Sequence, residues 1–320
     1  MEKKPDFEIH FAPIQGMTDA TYRNLHAALF HGIDAYYTPF IRVEQGNTFR
    51  PKDIRECKPG ANSVPRLVPQ VLGGEPDELR LSLKMLQDMG YRQADINLGC
   101  PFPMIARRGK GAGLLPSPER VEALLRVLEE FKEMQCSVKM RLGWEKTEEC
   151  LALLPLLNAA SLSAIILHAR VGVQGYKGET NPEGFGAFLK GCKHSLFYNG
   201  DLRTTEDIQA IRARFPGIRG VMIGRGLLAN PALAEEFTGG KTLSPEERVL
   251  RFRRFHDDLF AAYSARLQGD AHLLRKMQAF WEEFMPWTNR KLLKQIHKCT
   301  KLARYHEAVN AIFTAEREGA

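Results

Sequence analysis

A (β/α)8 barrel followed by a small all-helical domain is the fold class that this chain of 320 residues predicts. Two observations carry it. Short β-rich runs recur along the first 225 residues, eight in all, with helical patterns between them. After about Gly240 the strand signal disappears. Strands alternating with helices imply parallel βα units, and eight of them imply closure. A doubly wound open sheet is the alternative, but no Gly-x-Gly-x-x-Gly follows the first run. We therefore expect a barrel domain over residues 1–240 and a helical domain over 241–320.

The predicted strands are 9–13, 35–39, 66–71, 94–98, 137–141, 164–168, 196–199 and 220–223. The segments between them open like helices. Ser117-Pro118-Glu119 offers a cap and a proline at the first helical position. Thr204-Thr205-Glu206-Asp207 places acidic residues in a first turn. Residues 151–169 carry no charge, but Pro155, Asn158, Ser161 and Ser163 interrupt them, so they read as a helix followed by a strand. Ser244-Pro245-Glu246-Glu247 caps the first helix of the second domain, with later breaks near Gly269-Asp270 and Pro286. In that helix Leu250, Phe252, Phe255, Leu259, Phe260 and Tyr263 form the expected apolar face. Arg251, Arg253 and Arg254 crowd the expected basic one.

Composition is ordinary for a globular protein, with 44% hydrophobic and 26% charged residues. The net charge of +7 favours an acidic partner. Residues 241–320 hold 15 Lys and Arg against 10 Asp and Glu, so the last quarter carries most of the surplus. The six cysteines include no C-x-x-C pair, which argues against a zinc site or a disulfide framework and for a reducing compartment. Residues 1–6 lack an apolar core, so no signal peptide is expected there. We expect a cytoplasmic protein with no metal and no membrane association, and a monomer.

Chemistry in a parallel barrel sits at the carboxyl ends of the strands. Ile96-Asn97-Leu98-Gly99-Cys100-Pro101 runs from a strand into a loop, and its turn lifts a thiol out of the strand. Arg107, Arg108 and Lys110 continue that loop as a cationic stretch. Gln70, Asn97, Lys139, Arg141, His168, Arg170, Asn199 and Asp201 all fall at or just past strand ends. Gly224-Arg225-Gly226 after the last strand suits a phosphate, because backbone N–H groups can approach it beside a fixed charge. Lys139 and Arg141 alternate in one strand, so both face the barrel interior. Two interior cations need electron-rich partners, and a flavin ring meets that need. A plain ion pair with Asp95 or Glu145 is the structural alternative. Cys136, Cys150 and Cys192 read as inert packing thiols. Gln174 and Arg170 make a ligand-facing role for His168 the better reading.

Six motifs in order resemble the dihydrouridine synthase family. They are Ala12-Pro13-Ile14-Gln15-Gly16-Met17-Thr18-Asp19, Asn97-Leu98-Gly99-Cys100-Pro101 and Lys139-Met140-Arg141-Leu142-Gly143-Trp144. His168-Ala169-Arg170 with Gln174-Gly175-Tyr176-Lys177-Gly178, then Asn199-Gly200-Asp201, then Ile223-Gly224-Arg225-Gly226 complete the set. The resemblance implies an FMN enzyme that uses NADPH to reduce the C5–C6 double bond of selected uridines in tRNA. It further implies that Pro13, Ile14 and Gln15 line the flavin, and that Gln70, Lys139 and His168 bind its ring. Asn199, Asp201, Gly224 and Arg225 would hold its ribityl and phosphate groups. Asn97, Arg141 and Arg170 would position the uracil, Cys100 would be the general acid, and Arg107, Arg108 and Lys110 would meet the RNA backbone.

Three departures from the family pattern stand out. Gln15 replaces a small residue, Gly113 stands where Ala or Ser is expected, and Thr180-Asn181-Pro182-Glu183 replaces an Ala-Asp-Trp-like sequence. Three other readings remain open on the sequence. Ribosomal RNA could replace tRNA as substrate. An FMN barrel acting on a free pyrimidine would not need the helical appendage. An RNA-binding protein without catalysis would not need Cys100, Asn97 and Lys139.

Overall fold

The structure, a computed structural model, describes residues 7–319. Residues 1–6, where no signal peptide was expected, lie outside the described residues.

Eight parallel strands form the barrel: β1 (Glu8–Phe11), β2 (Ala35–Tyr37), β3 (Leu67–Val68 and Gln70–Leu72), β4 (Gln93–Leu98), β5 (Gln135–Gly143), β6 (Ala164–Val171), β7 (Leu196–Asn199) and β8 (Gly220–Ile223). β1 pairs with both β2 and β8, so the chain's first and last strands are neighbours. The ring closes at β3, which Pro69 divides. Its first half pairs with β2 and its second with β4. Proline has no N–H for a ladder, so the strand changes partner where that donor is missing. Pro69 still accepts the Asp95 N–H at 2.9 Å, and Thr38 Oγ1 accepts the Gln70 N–H at 3.0 Å. The observed strands overlap all eight predicted ones. β5 and β6 run longer, to Gly143 and Val171.

Helices follow most strands and wrap the outside. They are α1 (Ala20–Leu29), α2 (Pro76–Asp88), α3 (Pro118–Val127), α4 (Glu148–Ala159), α5 (Pro182–Gly191) and α6 (Thr205–Arg214). Two shorter helices, α7 (Arg225–Ala229) and α8 (Leu233–Gly239), follow β8. Ser244 makes the predicted capping bond to an N–H group three residues on, and Thr204 makes one too. Ser117 stands at the start of α3 but makes no capping bond, leaving Pro118 as the local start signal. The uncharged stretch resolves into α4 and β6, with Pro155 inside the helix.

The alternation of strands sends one set of side chains inward. Ala35, Tyr37, Val68, Ile166, Phe197 and Met222 pack together inside the barrel. Below them Glu8 accepts from Arg66 at 2.8 Å and Arg219 at 2.7 Å, closing the floor. The same inward parity carries Gln70, Asn97, Lys139, Arg141, His168 and Asn199 toward the opposite mouth.

Beyond Gly240 only helices follow: α9 (Pro245–Arg266), α10 (Asp270–Trp281), α11 (Arg290–Lys298) and α12 (Leu302–Glu318). No helix among the described residues is long and apolar enough to cross a membrane. α9 lies against α1. Phe255 meets Tyr22, His26 and Phe30 edge-on, with ring centroids 5.2, 6.2 and 5.4 Å away. Asp19 accepts from Tyr263 at 2.9 Å and from Arg266 at 2.8 Å. Two expectations for α9 need correction. Leu250 is exposed rather than part of the apolar face. The basic face is neutralised, because Arg251 pairs with Glu235, Arg253 with Asp257 and Arg254 with Asp258. Among the described residues, four exposed cations of α11 have no carboxylate within 4 Å: Arg290, Lys291, Lys294 and Lys298.

Phe255→Ala removes a buried ring shared between barrel and helical domain. It should cost about 3–5 kcal/mol, read as a lower urea midpoint.

Candidate active site

A cleft of about 450 Å³ opens at the carboxyl ends of the strands. Pro13, Ile14, Gln15, Gln70, Asn97, Cys100, Lys139, Arg141, His168, Asn199, Asp201, Gly224 and Arg225 all line it. Every strand from β3 to β7 thus contributes a predicted residue, and β1 and β8 contribute through the segments that follow them.

Cys100 is half-buried at the top of β4. Asn97 Oδ1 accepts the Gly99 and Cys100 N–H groups at 3.0 and 2.8 Å, which folds the chain back and presents the thiol. Burial raises the thiol pKa, against the opposing pull of the Phe102 N–H, Arg141 and Lys139. The group is therefore protonated at neutral pH. The turn Gly111–Leu114 supports this loop from behind. Gly111 has φ +56°, and a Cβ there would meet the Cys100 carbonyl at 2.9 Å. A Cβ on Gly113 would lie 2.1 Å from the Ala106 carbonyl, so the Ala or Ser expected there has no room in this packing.

Lys139 and Arg141 both face the cleft, and neither has a carboxylate within 4 Å among the described residues. The ion pair with Asp95 or Glu145 does not form. Lys139 donates to Asn199 Oδ1 at 2.9 Å, while Asn199 Nδ2 donates to the Met222 carbonyl at 2.8 Å. Arg141 donates to the Gly99 carbonyl at 2.9 Å and the Val171 carbonyl at 3.0 Å. Desolvation and then Arg141 lower the Lys139 pKa to about 8. His168 is buried beside these cations. Burial first, then Arg141, Lys139, Arg170 and Arg225, hold it neutral.

Four predicted residues stand apart from the cleft lining. Arg170 is buried behind it, where it binds Asp201 and donates to the Gly178 carbonyl at 2.6 Å. It braces the rim. Lys110 is committed to Glu78 at 2.6 Å on the outer side of the loop. Arg107 and Arg108 are exposed at the end of the short helical turn Pro103–Ala106 and have no carboxylate within 4 Å among the described residues. Gln174 does not enter the cleft; it accepts the Val171 N–H at 2.9 Å. Tyr176 and Glu283 also line the cleft, and neither had an assigned role. The Tyr176 ring lies under Arg141 at 5.5 Å and Arg225 at 5.1 Å, held by a loop whose Gly175 and Gly178 have positive φ. Its sequence signal was the motif Gln174-Gly175-Tyr176-Lys177-Gly178. Glu283 reaches the mouth from the helical domain near Arg225 and Arg203, a contact no local pattern announces.

The donor set fits a flavin. Lys139 is a cation with one hydrogen-bond partner, facing open space. Gly224 opens the neighbouring wall, where a Cβ would come within 3.4 Å of Ala12 and Ile14. Arg225 stands at the edge, bound to Asp201 at 2.8 Å.

Comparison with known proteins gives one consistent answer. The family model "Dihydrouridine synthase (Dus)" matches residues 10–317. The tRNA-dihydrouridine(16) synthase of Pseudomonas syringae pv. tomato is 30% identical over 243 residues, covering 73% of this chain and 75% of its own. The tRNA-dihydrouridine synthase B of Pasteurella multocida is 26% identical, covering 70% of this chain and 67% of its own. A mutant of morphinone reductase in complex with tetrahydroNAD shares the fold, with a TM-score of 0.54 at 12% identity over 74% of this chain and 88% of that one.

The charge on Lys139 opposes folding. Its ordinary pKa is 10.5 and its folded value about 8, so the folded state holds fewer protons between those values. Stability should rise with pH across that window. Lys139→Met should therefore be more stable than the parent at pH 7, by about 1–3 kcal/mol after allowing for its partial exposure. The gain should fade by about pH 10. Urea unfolding of ligand-free protein at both pH values checks it.

Proposed function

The chain belongs to the dihydrouridine synthase family, a family of oxidoreductases, and on that premise we propose that it reduces the C5–C6 double bond of particular uridines in tRNA, with FMN as cofactor and NADPH as reductant. The observation that carries this reading is the juxtaposition of a protonated thiol with unpaired cations in one cleft. A reduced flavin supplies hydride to C6 of the uracil when bound.

The rest falls to the chain's own side chains. Gln70, Lys139 and His168 would hold the flavin ring, with Pro13, Ile14 and Gln15 against it. Lys139 brings positive charge to the ring's electron-rich edge. Asn199, Asp201, Gly224 and Arg225 would hold the ribityl and phosphate groups. Asn97 keeps one amide hydrogen free after its bond to Gln70 and can give it to the uracil. Arg141 offsets the negative charge that develops on the uracil carbonyl. Cys100 donates its proton to C5, and burial keeps that proton in place at neutral pH.

A stacked uridine cannot enter the cleft, so the target base must be flipped out. The RNA backbone would then rest on Arg107 and Arg108 beside the mouth and on the basic side of α11. Such an enzyme works in the cytoplasm, where tRNA and NADPH both are.

Cys100→Ala should retain flavin colour and lose about a hundredfold or more in turnover, the usual size of a lost general acid. Full turnover in that variant would remove Cys100 from the mechanism. In cells lacking the gene, mass-spectrometric mapping should show dihydrouridine lost from tRNA. Position 16, carried in the name of the 30% identical relative, is the expected site. Loss from ribosomal RNA alone, or from no RNA, would overturn the assignment.

Removing charge from α11 with Lys291→Ala, Lys294→Ala and Lys298→Ala should weaken tRNA binding. It should also flatten the salt dependence, by about one unit of log–log slope per lost phosphate contact. An unchanged slope would move the docking face elsewhere.

A further inference from the structure

A hydrogen-bonded chain links a buried carboxylate to the loop that carries Cys100. Asp95 is fully buried on β4, two residues before Asn97, and does not line the cleft. No cation lies within 4 Å of its carboxyl among the described residues. Its Oδ1 accepts from Ser137 Oγ at 2.6 Å and its Oδ2 from Gln70 Nε2 at 2.7 Å. Gln70 Oε1 then accepts from Asn97 Nδ2 at 2.8 Å. Asn97 Oδ1 accepts the Gly99 and Cys100 N–H groups at 3.0 and 2.8 Å.

The two ends of this chain leave no freedom in the middle. A carboxylate only accepts, and a backbone N–H only donates. Each amide between them must therefore point its oxygen toward Cys100 and its nitrogen toward Asp95. A flipped Gln70 would set its oxygen against the Asp95 carboxylate. A flipped Asn97 would set its NH₂ against two backbone donors. Ser137 is the adjustable member, since a hydroxyl can reverse its role. Hence the relay keeps its direction even when the carboxyl takes up a proton.

We propose that Asp95 is a positioning residue for Cys100: by accepting from Gln70 it fixes the polarity of the Gln70 and Asn97 amides, and through them the height of the thiol in the mouth. A buried charge without a cation is costly, and two donors offset only part of that cost. Fixed polarity is what the cost obtains. A leucine would fill the same space and leave Gln70 Nε2 unpaired.

The inference rests on reading Cys100 as the acid, and its test reads the thiol itself. The purified full-length protein is treated with iodoacetamide at several pH values, and Cys100 modification is followed by mass spectrometry of its peptide. Asp95→Leu should release the loop, solvate the thiol and raise its alkylation at pH 8 about tenfold, equivalent to about one pKa unit. Asp95→Asn should stay within about twofold of the parent, because the new amide can donate to Ser137 and still accept from Gln70. Uridine reduction should follow the same order, slow in the first variant and restored in the second.

A Cys100 rate unchanged in Asp95→Leu overturns the proposal, whatever happens to its melting temperature. So does an Asp95→Asn variant as reactive as Asp95→Leu, which would make charge rather than polarity the cause. Should Asp95→Leu fail to fold, Gln70→Met breaks the next link without adding charge. It must raise Cys100 alkylation similarly, and an unchanged rate there is equally fatal. If the thiol responds as expected while Cys100→Ala keeps full turnover, the positioning stands and the acid role falls.

Discussion

Ring closure at Pro69 is the constraint on which the site depends. A parallel barrel of eight strands sends all its carboxyl ends to one mouth, and only a closed ring keeps those ends within reach of one another. β3 closes the ring by serving two neighbours in succession, β2 before the proline and β4 after it. Gln70 follows that break directly, so the residue that joins Asp95 to Asn97 sits where the sheet is sewn shut. Strand parity does the rest. Asn97 pairs in register with Lys139, Arg141 with His168, and His168 with Asn199. A slip of one residue in any of these pairings would turn a functional side chain outward.

Charge is distributed unevenly across the mouth, and the unevenness has a chemical sense. At the rim, cations are matched: Arg225 and Arg170 share Asp201. Toward the centre, among the described residues, Lys139 and Arg141 are met by an amide oxygen, two carbonyls and the Tyr176 ring. Neutral acceptors orient a cation without cancelling it. The centre therefore keeps its attraction for an electron-rich ring or a developing anion, at a cost visible in the lowered Lys139 pKa. Burial first, and then the same cations, keep His168 neutral, so it meets a ligand as an uncharged donor or acceptor. Cys100 receives only partial help from them. Burial outweighs the two cations and the thiol keeps its proton, the state an acid needs and a nucleophile does not.

The barrel and its mouth were legible in the sequence because both obey short-range rules. Strand period, helix-start residues and the placing of polar residues just past apolar runs located every strand of the barrel, and thirteen predicted residues line the cleft. What local pattern could not show is which of two partners a side chain chooses. Arg170 lies two residues after His168, but the register with β5 shifts between His168 and Val171, and the arginine turns to Asp201, whose left-handed backbone, φ +45°, brings the carboxylate back toward β6. Lys110 sits in a cationic loop, yet Glu78 from α2 claims it. Glu283 comes from the other domain, and no periodicity links it to Arg225. The neutral face of α9 is a different case. Arg253 with Asp257 and Arg254 with Asp258 are four residues apart, a spacing that places each pair on one helix surface. Counting charge sign alone passed over a pairing the sequence did contain.

The helical domain acquires its meaning from how firmly it is set against the barrel. Exposed ion pairs contribute little, but Asp19 is mostly shielded and binds three groups of that domain: Tyr263, Arg266 and Lys276, the last at 3.2 Å. Burial opposes the charge on Asp19, and Lys276 and Arg266 nevertheless hold its pKa below the usual range. Lys276 also donates to the Gly16 carbonyl at 2.7 Å, in the loop that brings Pro13, Ile14 and Gln15 to the cleft. One contact therefore fixes both a wall of the cleft and the orientation of α9 and α10. With Phe255 packed on α1 beneath it, the domain has little freedom to rock. A polyanion held on α11 would then lie at a set distance and angle from Cys100. Selection of one base among many identical ones requires such a fixed span, since the chemistry in the cleft is the same for every uridine.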